Sequence, residues 1–110
     1  MRVTSDLWVS AFVRRSHGQG TPAFVVRRGA TEAGAIFVIC NRLDGSADLY
    51  GPAPQALVEG EDLSGRSFEC LLETVAEPEI AERLASESRF DPDIWIVEVE
   101  SRDGAISLDI

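Results

Sequence analysis

The sequence predicts an α+β domain: two helices and a mostly antiparallel sheet of five or six strands, in the order α-β-β-β-β-α-β-β. Three observations carry this prediction. Two stretches repeat apolar residues at spacings of three and four behind capping residues. Several short runs are rich in β-branched and aromatic side chains. Two Asp-Gly dipeptides, Asp44-Gly45 and Asp103-Gly104, stand between such runs, where a two-residue hairpin turn needs positive φ angles. At 110 residues the chain is expected to form one domain, 1–110, with a core that needs no staple.

Thr4, Ser5 and Asp6 suit a helix N-cap, and Leu7, Trp8, Ala11, Phe12 and Arg15 then recur at helical spacing, giving a first helix over residues 7–16. A strand is the alternative, since Trp8, Ser10 and Phe12 also fit a period of two. Gly18 and Gly20 stop the helix. Residues 23–28 read as a strand, joined by a short connection to residues 35–43, so that the two are expected to be antiparallel neighbours. The second of these strands is apolar almost throughout and reads as an inner strand covered on both faces.

A two-residue type I′ turn at Asp44-Gly45 would pair Cys40 with Leu49 and Asn41 with Asp48. That register puts Val38, Cys40, Ala47 and Leu49 on one face and the polar residues on the other. The prolines of Tyr50-Gly51-Pro52-Ala53-Pro54 end the next strand, and residues 59–65 read as an acidic loop. Phe68, Cys70 and Leu72 alternate with more polar neighbours in a fourth strand. Glu77-Pro78-Glu79 opens a second helix, ending near Arg89, with Ile80, Ala81, Leu84 and Ala85 as its buried stripe and Phe90 docked at its exit. Residues 94–100 form a further strand. Asp103-Gly104 would turn it into residues 105–110, setting Val99 beside Leu108.

Net charge is −9, from 19 acids against ten arginines and no lysine, so the field repels nucleic acid and anionic membrane. No apolar run approaches the ~20 residues of a membrane span, and the expected location is the cytoplasm. Cys40 and Cys70 stand 30 positions apart without a CxxC pair and are expected as buried, reduced thiols. No spacing suggests a metal or a cofactor. A homodimer is expected if the edge strand over residues 106–110 is left open.

The segments WVSAFVRR, VVRRG, GAIFVICNRLDGSADLYGPAP and RFDPDIWIVEVE, in this order, resemble the family of small bacterial proteins catalogued as domain of unknown function 1491. The resemblance runs from Leu7 to Glu100. It implies a bacterial source and a single-domain protein, and it implies no activity.

Among candidate sites, Arg14, Arg15, Arg27 and Arg28 form the most suggestive set, because guanidinium forks bind carboxylate and phosphate bidentately. Such a set would hold a small anion. The simpler reading pairs them with the 16 acids of residues 46–110. His17, the single histidine, suits acid–base work but has no partner at motif spacing. Asp91 and Asp93 flank Pro92 and are too few for a hard cation. The proline-containing segment 50–54 is either a strand terminator or a rigid recognition element. With no catalytic motif present, the expected function is a non-enzymatic binding or protein-interaction domain, with an anion binder or a small enzyme as alternatives.

Overall fold

The computed structural model describes residues 3–54 and 65–108. Two helices lie on a five-stranded mixed sheet, in the chain order α1 (Ser5–Gly18), β1 (Ala23–Arg27), β2 (Ile36–Asn41), β3 (Ser46–Pro52), β4 (Phe68–Ala76), α2 (Glu77–Phe90) and β5 (Trp95–Glu100). Across the sheet the strands run β1-β5-β2-β3-β4. Of the predicted acidic loop 59–65, only Gly65 falls within the described residues.

The helix at the start is confirmed over the strand alternative. Thr4 Oγ1 accepts from the Leu7 N–H, filling one of the orphan donors of the first turn. Period-3.6 spacing then brings Trp8, Val9 and Phe12 to one side, where they meet Ala23, Ile36, Val38, Cys40, Trp95, Val97 and Val99. The ring of Trp8 stacks on Phe12 with centroids 5.0 Å apart. On the opposite face of the sheet, Ile80 and Leu84 of α2 pack on Phe37, Ala47, Leu49, Ile94 and Ile96. Odd and even residues of β2 and β5 thus enter different cores, which is why both strands read as unbroken apolar runs.

The sheet departs from the predicted topology in three places. First, β1 and β2 are not neighbours. β5 inserts between them, antiparallel to β1 and parallel to β2. The connection between β1 and β2 crosses the start of β5 so closely that a Cβ on Gly29 or Gly34 would lie 2.2 or 2.5 Å from the Asp93 carbonyl oxygen. Second, residues 105–108 are not a strand. With β1 on one side and β2 on the other, β5 has no free edge for another neighbour. Asp103-Gly104 still makes a turn, in which Gly104 N–H donates to Ser101 O, and the chain beyond it lays Ile106 and Leu108 on the α1-side core. Among the described residues the open edges of the sheet are therefore β1 and β4.

Third, the β2–β3 register is one residue off the prediction. Cys40 faces Asp48, and Ile39 faces Leu49. The loop is Leu43-Asp44-Gly45, with Leu43 at φ 64° and Gly45 at φ 90°. Asp44 Oδ1 accepts from the N–H and the hydroxyl of Ser46, and Asn41 Oδ1 accepts from the Leu43 N–H. Cys40 and Leu49 consequently lie on opposite faces. The separation of polar from apolar residues misled because both faces of this hairpin are covered and its aspartate is buried with a partner.

Irregular pairing of β4 with β3 also changes its faces. Leu71 and Leu72 both reach the α2-side core, and Cys70, expected inside, is exposed, whereas Cys40 is buried. On α2 the buried stripe narrows to Ile80 and Leu84: Ala81 and Ala85 are exposed, and Phe90 is 90% exposed rather than docked.

Candidate functional site

Among the described residues, the sheet on the α2 side is wider than its cover. Five strands spaced about 4.8 Å apart span roughly 19 Å, whereas one helix covers about 10 Å. α2 sits over β3 and β4. The part of this face formed by β1, β5 and β2 is left as a groove of about 440 Å³ beside the helix. Its floor is apolar, from Val26, Ile39 and Ile96. Its wall is the flank of α2 that carries Ala81, Ala85 and Ser88, which share one side at spacings of four and three. The apolar surface continues onto β1, where Phe24 is 46% and Val26 52% exposed.

One end of the groove is acidic. Glu98 and Glu77 line it, and both accept from Asn41 Nδ2, at 3.2 and 3.5 Å. Among the described residues neither carboxylate is paired with a cation. Glu98 is half-buried and stands beside Phe24 across the β1–β5 ladder.

The opposite side of the sheet holds a heavily bonded polar group. The Asp48 carboxylate, 1% exposed, takes Arg42 Nε at 2.9 Å and Arg42 Nη2 at 3.2 Å, and also accepts the Thr74 N–H at 2.7 Å. The hydrogen bond to Asp48 pushes the Arg42 guanidinium above its ordinary value. Thr74 sits at φ 50°, a conformation that a β-branched residue seldom adopts, where β4 bulges. Cys40 lies next to this pair, and burial pushes its thiol up to about 11, with the negative charge of Asp48 adding to the effect. It is therefore protonated at neutral pH and a poor nucleophile. The group locks the β2–β3 hairpin to the bulge.

The four arginines singled out in the sequence do not converge on one point. Arg28 Nη2 reaches Asp6 at 3.2 Å, near the start of α1, and its guanidinium lies 4.9 Å from the centroid of the Trp95 ring. Arg27 donates to the Pro92 carbonyl, and Arg15 to the Ser107 carbonyl. Asp6 and Arg15 are nine residues apart on one helix, so about 13 Å of axis separates the two ends of the set. Arg14 is exposed. His17 Nε2 donates to the Ala23 carbonyl at 2.8 Å; since a carbonyl only accepts, the proton is on Nε2.

Asp91 Oδ1 accepts from the Asp93 N–H, a local turn at the helix exit. Among the described residues no group of three or more His, Cys, Asp or Glu is placed to hold a metal ion. The 50–54 segment stays in the sheet through Pro52, and a Cβ on Gly51 would lie 2.6 Å from Leu71 Cδ1. No helix among the described residues is long and apolar enough to cross a membrane.

Sequence reasoning missed the groove because it counted Ala81 and Ala85 as buried. The signal was present in residues 24–26, three consecutive large apolar residues in a strand: alternation sends such a run to both faces, and both need cover.

Residues 3–109 match the model of a family described as "Protein of unknown function (DUF1491)". The fold is similar to the solution structure of protein Atu0922 from A. tumefaciens, with 47% identity and a TM-score of 0.80 over 92% of this chain and 87% of that one. It is similar also to the crystal structure of a DUF1491 family protein from Caulobacter crescentus CB15, with 34% identity and a TM-score of 0.77 over 96% of this chain and 92% of that one. A search of the curated proteins found no match.

Proposed function

We propose, from the geometry of a chain that belongs to the DUF1491 family, that it works as a non-enzymatic binding domain and that the groove beside α2 is its docking surface. The observation that carries this reading is the half-covered sheet face: an apolar groove of about 440 Å³ that runs on into the exposed Phe24 and Val26. Contiguous apolar surface of this kind marks interaction sites. Three groups chemically suited to catalysis are otherwise engaged. His17 is spent on a backbone carbonyl, Asp48 is held by Arg42, and the Cys40 thiol is buried and protonated.

The test is titration with a neutral solvatochromic dye, Nile red, on the wild type and on Ala85→Trp, which fills the groove from an exposed helix position. Saturable fluorescence enhancement in the wild type, weakened at least about tenfold in the variant, is the expected result. No enhancement, or enhancement unchanged by the tryptophan, would refute the assignment.

A further inference from the structure

We infer that the occupant of this groove is an amphipathic helix of a partner protein that carries an arginine or lysine at one end of its apolar stripe, received by Glu98 and Glu77. The inference rests on the reading of the groove as a docking surface and adds the partner's shape and charge.

Shape comes from the width of the vacancy. The face beside α2 is about one helix diameter across, about 10 Å. The flank of α2 that borders it presents Ala81, Ala85 and Ser88, whose short side chains let a second helix approach to the 8–10 Å typical of packed helices. An extended segment is the poorer fit. To extend the sheet it would have to pair with β1, using the outward-facing groups of alternate residues. Glu100 N–H donates to Pro22 O, so the next residue, Ala23, points its carbonyl outward, and His17 already occupies it.

Charge comes from the acidic end. Two carboxylates share one neutral amide donor, Asn41 Nδ2, and no cation among the described residues compensates them. Glu77 stands in the first turn of α2, where the helix dipole favours a negative charge. Glu98, on β5 and half-buried, has no such help, so it is the carboxylate that gains most from an incoming guanidinium or ammonium. A net charge of −9 opposes an acidic partner or a second copy of this chain and favours a basic one.

The experiment uses two probes: an amphipathic helical peptide of about 18 residues with a leucine and alanine stripe flanked by arginines, and the same peptide with glutamate for every arginine. Binding is followed through the amide resonances of the protein. The arginine peptide should shift Ile39, Ala81, Ala85 and Ile96 saturably, and Glu98→Gln, which keeps an acceptor for Asn41, should weaken it at least about tenfold. Glu79→Gln and Glu82→Gln, which remove the same charge from the other side of α2, should leave it unchanged. If the glutamate peptide binds the groove equally well, or if all three substitutions act alike, the charge inference fails while the groove reading stands. If neither peptide perturbs those four residues, the groove reading itself fails. Shifts of the same residues that depend on protein concentration without peptide would assign the groove to a second copy and overturn the inference.

Discussion

Replacing Arg42 by methionine keeps the length and apolar bulk of the side chain and removes the cation from Asp48. What remains is a carboxylate that is 1% exposed, with the Thr74 N–H as its short hydrogen bond. Two charge-assisted bonds disappear, at 2.9 and 3.2 Å, each contributing about 1.5–3 kcal/mol. Taking one partner from a buried pair costs about 3–5 kcal/mol overall, because the survivor keeps its desolvation penalty. The lower part of that range applies here, since the Asp48 carboxylate keeps the Thr74 N–H as a hydrogen-bond partner. For urea unfolding with a slope near 2 kcal/mol per molar, the midpoint should fall by roughly 1.5–2 M. Asp48→Asn should cost less than Arg42→Met, because Arg42 is 23% exposed and its charge can turn to water. A loss below about 1 kcal/mol for Arg42→Met would refute the claim that this pair locks the hairpin to the β4 bulge.

Cys70 is exposed and Cys40 buried with its thiol raised to about 11, so iodoacetamide at pH 8 should modify one thiol per native chain, identified as Cys70 by mass spectrometry, and the second only after unfolding; Cys40 also makes stability decline with pH between 9.0 and about 11, since the unfolded thiol ionises first. Hydrogen bonds from the hydroxyl and N–H of Ser46 hold the Asp44 carboxyl below its ordinary 3.8, and those from the Ala105 N–H and the Ser101 hydroxyl do the same for Asp103. Both turns should therefore be intact above that pH and loosen only as pH falls through the lower folded values, read as amide shifts of Ser46 and Ala105 with midpoints under 3.8.

Local chemistry in the chain marks both helices and the five strands, although it leaves a strand as the alternative for the first helix and puts a further strand after Asp103-Gly104, where residues 105–108 form none. Thr4 before a 3.6-residue stripe, Pro78 in the first turn of α2, and the β-branched runs of β2 and β5 each determine their element through propensity and capping that act within a few residues. Asp44 and Asp103 likewise mark their turns, because their carboxylates bond backbone N–H groups two residues on. Register and neighbours are of another kind. The Leu43-Asp44-Gly45 loop rather than a two-residue turn follows from burying Asp48 against Arg42 and Thr74, a partnership between strands that no local pattern encodes. β5 enters between β1 and β2 because Trp95, Val97 and Val99 are needed under α1 while Ile94 and Ile96 are needed under α2, so the most apolar strands take the centre of the sheet. That placement leaves residues 105–108 without an edge to join. It also sets one helix against a face wide enough for two, so the groove at Ile39, Ile96, Ala81 and Ala85 is a property of the assembled sheet. Its apolar residues are visible in the sequence, but which of them stay uncovered is decided by where α2 comes to rest.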